Sequence, residues 1–139
     1  MEQPILLFLL YIDICLIIGF YLYIRKIRKL IGFHLGMNMS MVMGGMAALL
    51  FGILLITYLP FHFTYITLIS AIIGGTVGAL FGLLIDYQTF VTGLTNGLIV
   101  GLMAPMIGTV MEMQMLFIWF LHASFASSLV IMIISVKRA

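Results

Sequence analysis

Apolar residues run along this chain in long stretches, and polar or charged residues are confined to the breaks between them. A bilayer core about 30 Å thick is crossed by about 20 helical residues rising 1.5 Å each. Five stretches meet that length: Pro4 to Ile24, Met37 to Leu59, Thr64 to Ile85, Thr89 to Val110 and Met115 to Val136. The breaks are a basic segment from Arg25 to Lys29, Pro60 to Phe63, Asp86 to Gln88, and Glu112 to Gln114, where charges and turn residues end helices. The run from Leu30 to Leu59 is too long for one upright crossing, so residues 25–36 form a basic loop, with Leu30 to Gly36 at the interface or in a bend. The fold expected is a single all-α integral membrane domain, residues 1–139, in which five transmembrane helices with short loops form a bundle. Neighbours in sequence are then antiparallel neighbours in space.

Composition removes the alternative of a water-soluble domain. Of 139 residues, 65% are hydrophobic and 7% charged, whereas soluble domains carry about a quarter charged residues. The six basic residues are Arg25, Lys26, Arg28, Lys29, Lys137 and Arg138. They sit at span ends, so they give no basic face for nucleic acid. Lys and Arg near span ends stay on the cytoplasmic side, which predicts the N-terminus outside, the C-terminus inside, and all six on one face. A cleaved signal peptide would need its positive charge before the first apolar run, and here the charge follows it. The localisation expected is the plasma membrane.

Small residues recur every four positions. Gly36, Ser40, Gly44, Ala48 and Gly52 do so on the second span, Gly74, Gly78 and Gly82 on the third, and Gly93, Gly97 and Gly101 on the fourth. In hydrocarbon, helices associate where small residues let backbones approach. The last two ladders mirror one another about the Asp86 turn, pairing Gly82 with Gly93, Gly78 with Gly97, and Gly74 with Gly101. They predict a tight glycine-mediated hairpin of helices three and four.

Ten of the twelve methionines fall in two groups. The first is Met37, Met39, Met41, Met43 and Met46, accompanied by His34. The second is Met103, Met106, Met111, Met113 and Met115, accompanied by His62 and Glu112. Thioether sulfur is a soft, uncharged ligand that selects Cu(I) over hard ions. Sets at opposite faces suit passage of an ion, since conduction requires release as well as capture. Met39-x3-Met43 beside a ladder of small residues resembles the pairing in eukaryotic copper-import channels. That resemblance covers only these short elements, because those channels have three spans. Packing is the rival reading, since Met is a flexible filler of apolar gaps.

Asp13 falls near the middle of the first span, where a buried carboxylate costs several kcal/mol unless protonated, paired or wet. Depth selects His122 on the fifth span as its partner. Such a pair would serve as a proton carrier or as a structural clamp between helices. Cys15, roughly 200° around the helix from Asp13, reads as a buried apolar residue. Asn38, Thr92, Thr95 and Asn96 with Asp86 and His34 would form a polar cytoplasmic vestibule. Thr89 is a candidate cap for the fourth helix. Pro105 would free a carbonyl near residue 101, either as a kink or as an ion ligand. His62 between two phenylalanines reads chiefly as an interfacial anchor.

No hydrolytic triad, phosphate loop, haem attachment motif or regular zinc spacing is present in the sequence, so no enzyme is expected. Two functions follow. In one, the protein binds and transports a soft metal ion, Cu(I) first, captured by Met111, Met113 and Met115 and handed to Met37, Met39, Met41 and Met43. Asp13 and His122 then couple the movement to charge or protons, and no cofactor beyond that ion is implied. In the other, it is a non-catalytic membrane subunit or assembly factor that packs against itself or a larger membrane complex. The two Met groups must face one continuous interior path for the first to hold.

Overall fold

The computed structural model describes residues 2–111 and 115–138, with side chains from Pro4 onward. Every regular element in them is helical: α1 (Glu2–Ile27), a 3-10 turn (Arg28–Leu30), α2 (Phe33–Tyr58), α3 (Phe63–Leu83), α4 (Tyr87–Val110) and α5 (Met115–Arg138). All five α-helices are long and apolar enough to cross a membrane.

Helix ends follow local chemistry. The last turn of α1 carries Arg25 and Lys26, which favour the negative end of the helix dipole. The expected bend is shorter than the sequence indicates. Only Ile31 and Gly32 are extended, and α2 begins four residues before Met37. Its 26 residues span about 39 Å, longer than the hydrocarbon core of a bilayer. At the other turn, the Asp86 carboxylate accepts the Thr89 N–H at 2.8 Å and caps α4. Thr89 is therefore the capped residue and not the cap, and α4 starts at Tyr87.

That cap sets the hairpin register. With α3 ending at Leu83 and α4 starting at Tyr87, the turn centre lies two residues earlier than the spans 64–85 and 89–110 place it. The pairing moves by one rung of the ladder. Gly78 meets Gly93, and Gly74 meets Gly97, such that a Cβ on any of the four would overlap the partner's backbone carbonyl. Gly82 faces Thr89 and Phe90, and Gly101 faces Ser70 and Ala71. The expected pairs Gly82–Gly93, Gly78–Gly97 and Gly74–Gly101 are corrected accordingly.

α2 is the central helix. Its small-residue face closes on α3 and α4 together: a Cβ on Gly44 would stand 3.0 Å from the Gly78 Cα, 3.1 Å from the Gly93 oxygen and 3.3 Å from the Gly74 oxygen. Gly36 abuts Ile85, and Gly52 abuts Ala104, Ser70 and Pro105. Ser40, fully buried, donates to the Thr89 carbonyl at 3.3 Å, and Asn96 Nδ2 donates to the Met41 carbonyl at 2.8 Å. The remaining buried residues of α2, among them Met39, Met43, Ala47 and Leu50, join a cluster with Ile17, Phe20 and Ile24 of α1 and Leu121, Phe125 and Leu129 of α5. Thus α3 and α4 pack by backbone contact, whereas α1 and α5 pack through large side chains.

Candidate functional site

The polar contact between α1 and α5 is Asp13 with His122. Asp13 is completely buried, and His122 Nε2 lies 3.0 Å from its Oδ2. The other ring nitrogen, Nδ1, lies 2.8 Å from the Ile118 carbonyl oxygen one turn back on α5. A carbonyl only accepts, so Nδ1 carries a proton in this geometry. Nε2 and Oδ2 then share one proton between them. With it on oxygen, both groups are neutral; with it on nitrogen, they form an ion pair whose charges cancel. Either way the site is net neutral, which is how a carboxyl is held in an apolar layer.

Asp13 Oδ1 is different. It is buried, and no protein group among the described residues hydrogen-bonds it. A carboxyl oxygen without a donor is an open coordination position in a place where leaving one costs about 1–3 kcal/mol.

Contacts fix the depth of α2 beside this pair. Gly36 meets Ile85 and Gly52 meets Ser70, while the Phe81 ring lies 5.8 Å from Phe20 and 5.4 Å from Tyr21. Stepping along each helix from these contacts sets Asp13 level with Ala47 and Ala48, with Met46 within a turn and Met43 about 7 Å toward the α2 N-terminus. Met39 and Met43 are fully buried, and Met46 packs against the same cluster.

The other expected ligands do not converge there. Met41 is exposed, Met37 half-buried, and His34 exposed on the first turn of α2, its ring edge against Phe33. Met103, Met106 and Met111 project from the outside of the bundle. Met115 packs at the margin of the core, while Met113, Glu112 and Gln114 lie outside the described residues. His62 is exposed beside Tyr65 in the turn before α3. The described methionines of the two groups therefore line no single interior path. Sequence periodicity could not show this, because Met occupies cores and lipid-facing surfaces with equal ease. Among the described residues, no three His, Cys, Asp or Glu side chains gather as a metal set. Cys15 is exposed, contrary to its reading as buried.

Of the residues expected at the polar vestibule, Thr92, Thr95 and Asn96 line one open cleft with Met41. Thr92 donates to the Gln88 carbonyl and Thr95 to that of Val91, both within α4, Asn96 is engaged by α2, Asp86 caps α4, and Asn38 and His34 are exposed. The carbonyl of Gly101, freed by Pro105, accepts the Ser70 hydroxyl and is not open to an ion. A serine one helix away from a proline-freed carbonyl is the signal that sequence reasoning passed over.

No family model, curated protein or solved structure matches this chain.

Proposed function

We propose that this protein is a small multi-pass carrier of a monovalent cation, Cu(I) first, whose working site is Asp13 with His122 between α1 and α5. The observation that carries this reading is the unpartnered Oδ1 of the fully buried Asp13. An ionisable group inside the membrane that is incompletely satisfied is costly to keep and marks ion pathways and proton relays. Met46, within a turn of that carboxyl in depth, would add a soft, uncharged donor. Charge balance gives the coupling: a cation entering a net-neutral site displaces the shared proton, and leaving restores it. In this reading the basic span ends face the cytoplasm, the N-terminus lies outside, and the membrane is the plasma membrane. The exposed outer methionines Met103, Met106 and Met111 fall outside the site.

The test is titration of purified protein with Cu(I) against a competing chelator. Binding lost in Asp13→Asn and weakened in Met46→Leu supports the proposal; no binding at micromolar metal overturns it.

A second reading, a non-catalytic subunit of a larger membrane assembly, is favoured by the outward apolar face of α4, where Ile99, Leu102, Met103, Met106 and Val110 are exposed. The glycine ladders are consumed inside the bundle, so that face would carry the contact. Cross-linking through Met106→Cys distinguishes this reading, which requires a discrete partner band.

A further inference from the structure

From Asp13 and His122 toward their C-terminal ends, α1 and α5 leave a crevice of about 450 Å³ between them. Its walls are apolar, built from Leu16, Phe20, Leu129 and Ile133, and its charged lining residue is Lys137 at the C-terminal end of α5. Gly19, also in the lining, differs from the glycines of the small-residue ladders. A Cβ added there would meet nothing within 4 Å, so this glycine serves no helix contact and instead leaves the crevice open. From Cys15 to Tyr23 the α1 wall runs about 12 Å, close to the depth of one leaflet of a 30 Å core. The same end of the bundle carries Arg25 and Lys26 on α1 and Arg138 on α5.

We infer that this crevice binds one anionic phospholipid, an acyl chain lying along Gly19 with the headgroup phosphate at Lys137. An apolar slot of leaflet depth takes a chain, and a basic rim at the interface selects an anionic headgroup. The crevice involves neither Asp13's free oxygen nor any metal, so the lipid site stands apart from the carrier reading.

Native mass spectrometry of the detergent-solubilised full chain tests it, using phosphatidylglycerol and phosphatidylcholine of identical chains. One retained phosphatidylglycerol is expected, bound about fivefold more tightly than phosphatidylcholine, the factor that one lysine near the surface supplies. Lys137→Gln should reduce that preference, and Gly19→Leu should reduce binding of both lipids. Since Gly19 faces open space, Gly19→Leu should melt as the wild type does; if it does not, Lys137→Gln alone decides. Equal affinity for the two lipids in the wild type, an undiminished preference in Lys137→Gln, retention of neither lipid, or displacement by a free fatty acid at equal concentration overturns the inference.

Discussion

Ser70 on α3 donates its hydroxyl to the Gly101 carbonyl on α4 at 2.6 Å, four residues before Pro105, which has no N–H to offer that carbonyl. One hydrogen bond thus repairs the helix break and ties the hairpin together. Inside a membrane every backbone polar group must find such a partner.

Ser70→Ala should destabilise the bundle by about 1 kcal/mol, in the range of interhelical hydrogen bonds in membranes. In a Pro105→Ala background the same change should cost less, because the restored N–H satisfies Gly101. Thermal melting in detergent of the two single variants and the double variant reads this coupling, and strict additivity would refute it.

Gly93→Ala should be severe, since its Cβ would overlap the Gly78 carbonyl and neither backbone can yield. Gly19→Ala is the control. Nothing lies within 4 Å of the new Cβ, so the better helix propensity of Ala should leave stability unchanged or higher by up to about 1 kcal/mol. Equal melting temperatures for the two variants would mean that the α3–α4 contact is not as close as described.

His122→Ala should cost about 3 kcal/mol or more, because it leaves a buried carboxyl without its partner. Replacing both partners, Asp13→Leu with His122→Leu, should recover most of that loss, as two apolar groups need no partner. A double variant no more stable than His122→Ala would show that the pair does not act as a unit.

Asp86→Ala removes the side chain that caps α4 and should cost about 1 kcal/mol. Asp86→Asn, still an acceptor, should retain most of the stability. Loss of equal size in both would point to the charge and away from the cap.

The five helices were legible because lipid demands uninterrupted apolar length, and Asp13 stood out because no turn or interface accounts for a carboxylate at that depth. Its partner was legible too: α1 and α5 run in the same direction, so depth alone brings Asp13 and His122 to one level. Register was not. The rung of the α3–α4 ladder depends on whether Asp86 or Thr89 begins the helix, a local competition that shifts every pair downstream. Nor did the methionines declare their direction. Met43 faces the core while Met41, half a turn away, faces outward, and a thioether tolerates both. The Ser70–Gly101 bond was invisible for a related reason, since it joins residues that only the correct register brings together.

In the proposed carrier, a cation at Asp13 takes the place of the proton shared with His122. Counting protons released in weakly buffered solution as Cu(I) binds the purified protein reads this exchange. Release of about one proton per ion is expected in the wild type, and none in Asp13→Asn. Binding without proton release, or the same release from Asp13→Asn, would contradict it.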